Sequence, residues 1–459
     1  MGRRKVAAAD APHGTKAPAR YRGSILPAML APRSLPLVRT WAGALGLAML
    51  AGCAATPAPP APPAGPEAPA EPTEDPAVRA RELAHRFIIV DGHVDVPYRL
   101  YATRDVRGAI TEDLSKRTPT GDFDAVRARE GGLDAPFMSI YVPAKHQEDG
   151  TAKQVAKELV EMVRGFEARW PDTFVVATSA DAIEAAFRAG KIALPMGLEN
   201  GAPIERVEDV ATIHAWGIRY VTLTHSKDNA LSDSSFDDRH THGGLSELGK
   251  AVVREMNRVG IMVDVSHLSD EAIRDVLAIS ETPVIASHSS ARRFTPGWER
   301  NLSDELIRAV ADSGGVVMVN FGSSFLDDEV RKARDVRWKE IQALLDEKGL
   351  AFGEPEAKRI VDAYDREHPG PRSTVERVAD HIDHIVSLVG VDHVGFGSDF
   401  DGVGDSLPEG LRDVSAYPNL LRVLLERGYT ESEIEAICGK NLLRVLRAVE
   451  AHARTQRGT

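Results

Sequence analysis

Phe87-Ile88-Ile89-Val90-Asp91-Gly92-His93-Val94-Asp95 is an apolar, β-branched run that ends abruptly in ionisable residues, and the whole fold can be read outward from it. Four consecutive apolar residues leave no polar face, as expected of a strand buried on both sides in a parallel sheet. Seven further apolar runs follow, five of them also ending in an ionisable residue: PFMSIYV from Pro136, IALPMGLE from Ile192, IRYVTLTH from Ile218, IMVDVSH from Ile261, PVIASH from Pro283, GVVMVNF from Gly315 and HVGFGSDFD from His393. Amphipathic helical stretches separate them. Eight βα units in one chain predict an α/β fold, a (β/α)8 TIM-like barrel, rather than an open doubly wound sheet. No glycine-rich phosphate loop follows the first run, which argues further against the open sheet.

The segment from about Phe325 to Val378 is highly charged and helical, and it predicts an insertion before the last strand that covers or flanks the barrel mouth. The barrel is expected to span 77–450, with a flexible tail over 451–459. No internal repeat is visible.

The N-terminal region has a different composition. Residues 1–52 hold eight Lys/Arg against the single acid Asp10, and an uncharged stretch, TWAGALGLAMLAGCAAT, follows Arg39. Its apolar part, about a dozen residues, is too short to span a bilayer and suits the core of an export signal. Leu50-Ala51-Gly52-Cys53 resembles a bacterial lipobox, which predicts cleavage before Cys53 and its acylation. Met29 is a candidate true start. From Ala54 to Pro76 nine of 23 residues are proline, an extended tether that at about 3.1 Å per residue reaches up to roughly 70 Å from a membrane surface. The expected localisation is the periplasm-facing outer membrane, because Ala54 follows the cysteine.

The whole chain carries a formal charge of −12, and without its basic leader about −19, which argues against nucleic acid or anionic lipid as a partner. With Cys53 lipidated, Cys438 stands alone, so no intrachain disulfide is expected, and Cys438 reads as a helix core residue.

Catalytic groups of such barrels lie at the C-terminal ends of the strands. There this chain places Asp91, His93 and Asp95 on strand one, Glu199 on strand three, His225 on four, His267 on five, His288 on six, and Asp399 and Asp401 on eight. His93 and Asp95, two apart, would point to the same side of an extended backbone. One His-x-Asp is weak evidence. Its repetition at equivalent places on other strands is what predicts a metal centre. Nitrogen and oxygen ligands without thiolate suit Zn²⁺, with Mn²⁺ or Co²⁺ as alternatives. His93, Asp95, Glu199, His267 and His288 offer five ligands, enough for two ions when Glu199 bridges them.

The motifs DGHVD, GLEN, TLTHSKDN, VDVSH, IASHSSA, RNLSDE, HVGFGSDFDGV and LPEGLRDVSAYPNLL, in this order and spacing over roughly 87–446, resemble the membrane (renal) dipeptidase family. The resemblance implies a two-zinc hydrolase of dipeptides, including those with a C-terminal D-residue, and a homodimer. It places His93, Asp95 and Glu199 at one ion and Glu199, His267 and His288 at the other, with Asp399 as the proton carrier and His225 and Arg300 as substrate holders. Arg292 and Arg293 compete with Arg300 for the role of carboxylate clamp. Animal members carry a C-terminal glycolipid and disulfides, so the resemblance extends only to the barrel.

His240 and His242 sit in a polar loop with no apolar strand before it and read as non-ligands. His381 and His384 share a helix face and read as surface or core. Asp401 reads as shaping the loop after Asp399, and Asp91 as bonding the strand-one turn. A different binuclear amidohydrolase, such as a lactonase or β-lactam hydrolase, and a noncatalytic binding lipoprotein are the alternatives to a dipeptidase.

Overall fold

The computed structural model describes residues 75–105, 107–350 and 355–458. The export signal, the Cys53 lipobox, Met29 and the tether up to 74 lie outside the described residues.

Pro76, with no N–H to lose, starts the first helix, Pro76–Arg86, and Asp75 caps it by accepting from the Ala77 N–H at 2.9 Å. Among the described residues ten strands follow: β1 (Ile89–Val94), β2 (Leu133–Tyr141), β3 (Phe174–Val175), β4 (Ile192–Ala193), β5 (Met196–Glu199), β6 (Ile218–Thr222), β7 (Met262–Asp264), β8 (Ile285–Ala286), β9 (Val316–Val319) and β10 (Val394–Phe396). Eight of them close a parallel barrel in the order β1-β10-β9-β8-β7-β6-β5-β2, and each derives from one of the eight apolar runs. The run from Ile192 needs one correction. It is two strands, because Pro195 has no N–H for the ladder: Ile192 and Ala193 pair with β3 in a separate two-stranded sheet, and the barrel strand begins at Met196.

Serine caps explain where the barrel helices begin. Ser246, Ser269 and Ser303 accept from Gly249, Ala272 and Leu306 N–H at 2.9, 3.2 and 3.2 Å, opening helices Glu247–Val259, Asp270–Ile279 and Asp304–Asp312. Each then buries a stripe at helical spacing, as Val252, Val253, Met256 and Val259 do. A core cluster inside the strands joins Val90, Phe137, Tyr220, Met262, Ile285 and Met318 with Leu442, Leu443 and Leu446 of the C-terminal helix Asn441–Arg457. That helix overturns the expected flexible tail: it runs on to Arg457 and buries Ala453, whose Cβ sits against Gly260. Cys438 is buried in a π-helical turn, Ala436–Lys440.

The insertion is helical, as expected, but shorter. Helices Asp328–Glu347 and Pro355–Glu367 form it around their own small core of Ile341, Leu345 and Ala357. The next helix, Val375–Val389, buries Val378, Ala379, Ile382 and Ile385 and belongs to the barrel wall. Among the described residues no helix is long and apolar enough to cross a membrane.

Candidate metal centre

The strands deliver their chemistry just past their ends. Glu199 closes β5, in register with Tyr141 of β2 and Thr222 of β6. His225, His267, His288 and Asp399 follow β6, β7, β8 and β10 by two or three residues. His267 and Asp399 adopt the left-handed backbone, φ 69° and 63°, a conformation that costs a non-glycine residue energy and concentrates at functional sites. Asp95 departs from the expected geometry. It has left the strand, at φ −90° and ψ 21°, and stands at the N-cap position of the next helix without a side-chain capping bond, its Oδ2 3.3 Å from His93 Nε2.

Everything converges on Glu199, whose carboxylate is almost fully buried. Its Oε1 lies 3.1 Å from His267 Nε2, 3.4 Å from His288 Nε2 and 3.5 Å from His225 Nε2, and its Oε2 lies 3.3 Å from His93 Nε2. Three overlapping sets have ligand atoms within 4.8 Å of one another: His93, Glu199 and His288; Glu199, His225 and His267; His93, Asp95 and Asp399. All five expected ligands, together with His225 and Asp399, are thus in one cluster.

The donors fit a cation. His93 Nε2 and Asp95 Oδ1 are buried without a hydrogen-bond partner, a costly state that an ion or substrate relieves. His267 Nε2 and His288 Nε2 face each other at 2.8 Å. Burial, reinforced for both rings by the Arg300 charge, holds their pKa values well below the ordinary histidine range, so they are neutral with lone pairs to offer. Burial opposes charge on Glu199 too, but His93 and His225 outweigh it and keep the carboxylate ionised. Burial, and then the neighbouring Asp95, push Asp399 well above the usual carboxylate range.

Behind the ligands lies a shell that the sequence reading did not single out. His93 Nδ1 is 2.8 Å from Tyr220 Oη. His288 Nδ1 is 2.7 Å from Ser287 Oγ, which donates to Asp264 Oδ2 at 2.6 Å. Asp264 also accepts from Ser287 N–H at 2.8 Å, Ser266 N–H at 3.1 Å and the Thr222 hydroxyl. Ser139 Oγ donates to Glu199 Oε2 at 3.1 Å, and Asn320 Nδ2 to Asp399 Oδ2 at 2.8 Å. Such partners fix the tautomer and aim of each ring. Two glycines make room for the arrangement. A Cβ on Gly197 would meet the Tyr220 ring at 1.9 Å, and one on Gly402 would lie 2.1 Å from Asp399 Oδ1 and 2.3 Å from Asp95 Oδ2.

Arg300 is 1% exposed; its Nη1 donates to Ser289 Oγ at 2.8 Å and its Nη2 to the His288 carbonyl at 3.0 Å, also 3.0 Å from His267 Nε2. Its Nε is buried and unpartnered. Arg292 is instead spent on Asp270, and Arg293 is exposed. His242 Nε2 meets the Asn229 carbonyl in an exposed loop, and His240 is in none of the ligand sets. His381 is buried between the Ala291 N–H and the Leu326 carbonyl, and His384 is paired with Asp304. Asp401 exchanges backbone-to-carboxylate bonds with Asp122, while Asp91 takes the His93 and Ser398 N–H groups, both structural as expected.

A closed parallel barrel with a buried carboxylate ringed by imidazoles at its mouth defines a metal-dependent hydrolase. The model of the membrane dipeptidase family, peptidase family M19, matches residues 77–459. A dipeptidase of Claviceps purpurea, tcpJ, is 34% identical over 380 residues, covering 80% of this chain and 78% of its own, and Dipeptidase 3 of Mus musculus is 32% identical over 384 residues, covering 82% and 68%. Among solved structures, the probable dipeptidase PvdM of Pseudomonas aeruginosa superposes with a TM-score of 0.69 at 26% identity, over 83% of this chain and all of its own. A metallopeptidase of Rhodobacter sphaeroides, liganded with a phosphinate mimic of L-Ala-D-Ala, does so with a TM-score of 0.64 at 25% identity, over 79% and 99%. The chain belongs to the membrane dipeptidase family, and it is a metal-dependent hydrolase acting on dipeptides.

Proposed function

We propose that the cluster holds two divalent ions, zinc by the chemistry of its donors with Mn²⁺ or Co²⁺ as substitutes, and cleaves L,L-dipeptides and those with a C-terminal D-residue. The observation that carries this is the convergence of four imidazole nitrogens on one buried carboxylate, with Arg300 beside them. His93 and Asp95 would serve one ion and His267 and His288 the other, with Glu199 shared between them. Bound ions supply Lewis acidity at the carbonyl oxygen and acidify the attacking water.

The protein's own groups do the rest. Arg300, with its buried Nε free to donate, holds the C-terminal carboxylate of a short substrate, and a fixed clamp so near the reacting centre rejects long peptides. His225, partly open to the mouth, donates to the oxygen that gains charge. Asp399, oriented by Asn320, takes a proton from the water and passes it to the leaving amine. The phosphinate mimic of L-Ala-D-Ala held by the Rhodobacter sphaeroides relative supports acceptance of a D-residue.

We also propose that acylated Cys53 anchors the enzyme to the periplasm-facing outer membrane and that the barrel forms a homodimer. Palmitate labelling of wild type against Cys53→Ala tests the anchor, and equal labelling rejects it; light scattering of the purified barrel at one chain's mass rejects the dimer. For the activity, metal-reconstituted protein is assayed on L,L- and L,D-dipeptides beside a lactone and a β-lactam. No amino acid release, or preference for a substrate without a free carboxylate, refutes the proposal.

A further inference from the structure

Asp399 shares its turn with a second left-handed residue. Asp399 and Asp401 stand at φ 63° and 66°, a conformation that persists in non-glycine residues only where their surroundings hold it. The backbone ties this turn to the end of β1: the Asp399 N–H donates to the His93 carbonyl at 3.0 Å, and the Asp95 N–H donates to the Phe400 carbonyl at 2.8 Å. Asp401 adds a side-chain grip. Its carboxylate is 1% exposed, and Oδ1 accepts from the Asp122 N–H at 2.7 Å while its own N–H donates to Asp122 Oδ2 at 2.8 Å. The same Oδ1 lies 3.1 Å from Arg99 Nε.

Arg99 comes from the other side of the pair. It sits one turn into the helix Val96–Ala102, whose N-cap position is Asp95, and its N–H donates to the Asp95 carbonyl at 3.1 Å. Its guanidinium is fixed in turn. Nη1 donates to Glu112 Oε2 at 2.7 Å, and Gly121 packs so closely that a Cβ there would lie 2.4 Å from Nε. One side chain thus joins the turn that starts at Asp95 to the turn that carries Asp399. Those two carboxylates, with His93, present ligand atoms within 4.8 Å of one another. His267 and His288 follow β7 and β8, which lie across the barrel from β1 and β10.

Resting on the reading that Asp95 serves one ion and Asp399 moves the proton, we propose that Arg99 is a positioning residue for both. Through Asp401 it sets the spacing of the Asp95 and Asp399 carboxylates. The ion held by His267 and His288, and the Arg300 clamp, are outside its reach.

The test measures kcat, KM and zinc affinity on the full barrel, with Ala-Ala as substrate and a chromophoric chelator as competitor. Arg99→Gln should lower kcat at least about tenfold with KM within about twofold, because the proton carrier is misplaced and the clamp is not. It should also weaken one ion at least about tenfold and leave the other within about twofold. Arg99→Lys should recover part of both losses. The double variant Arg99→Gln/Asp401→Asn should be no worse than the more impaired single, since the two residues act through one contact. Where Arg99→Gln does not fold, Asp401→Asn, which keeps an oxygen for the Asp122 N–H, carries the same expectations. Wild-type kcat and zinc affinity in Arg99→Gln, or in Asp401→Asn standing in for it, overturn the proposal. Equal weakening of both ions, or additive losses in the double variant, overturn it in favour of a general role in stability. A wild type that binds zinc yet cleaves no dipeptide overturns the dipeptidase reading instead, and the zinc titrations then decide the role of Arg99 by themselves.

Discussion

Ser287→Ala isolates the support behind one metal ligand. The hydroxyl bridges His288 Nδ1 at 2.7 Å and Asp264 Oδ2 at 2.6 Å, and all three side chains are buried. For His288 Nε2 to face a cation its proton must reside on Nδ1, and the Ser287 oxygen is the acceptor that keeps it there. The substitution changes little volume. It leaves the Nδ1–H buried without an acceptor, which costs about 1–3 kcal/mol. Asp264 loses one of its four donors but keeps Thr222 and two backbone N–H groups. Loss of such an outer partner typically weakens a metal site by about 10–100-fold, which is roughly 1.4–2.8 kcal/mol and so agrees with the desolvation figure. Titration of apo-enzyme against a competing chromophoric chelator should therefore show one ion bound 10–100-fold more weakly, and activity should recover at high zinc. Metal affinity within twofold of wild type would refute the idea that this hydroxyl sets the ring.

Arg300→Lys removes the planar fork and should lower kcat/KM on dipeptides by about 10²-fold or more, as expected when substrate positioning is lost; unchanged kinetics would assign the carboxylate to another group. Gly402→Ala should depress kcat/KM by at least about 100-fold with a near-native circular dichroism spectrum, because its Cβ displaces Asp399 or Asp95, and full activity would contradict that crowding. Burial holds His381 neutral, its pKa pushed down to about 4. The unfolded chain takes up its proton near pH 6.5 while the folded chain does not, so stability present above pH 6.5 is lost as pH falls toward 4, by roughly 3 kcal/mol. Urea midpoints between pH 4 and 7 should show this slope and His381→Gln should flatten it; identical slopes would exclude the group.

The barrel was legible because its strands are apolar on both faces and its ligands sit where strands end. Both facts are local in sequence, and the repetition of a His or carboxylate after one apolar run after another is what set these residues apart from surface ones. The supporting shell was not legible in the same way. Tyr220, Asp264 and Ser287 lie within or beside the strands, and each alone reads as an ordinary polar residue. The faint signal was Asp264 inside the apolar run IMVDVSH, a carboxylate that burial obliges to find partners. Asp95 kept its place although it had left the strand, because ligand convergence depends on where the loop carries the side chain and not on strand parity. The break at Pro195 was written in the sequence, in a residue that cannot donate to a ladder. The tail's helix packs Ala453 against Gly260, a contact about 190 residues distant that no local pattern encodes.

The most direct test of the two-ion centre is the metal content of the purified enzyme measured alongside dipeptide turnover as a chelator strips it and zinc restores it. Two ions per chain at full activity, with turnover lost and regained in step with them, is the predicted result. Full turnover with one ion per chain or none, or a fully loaded protein that leaves every dipeptide intact, would contradict it.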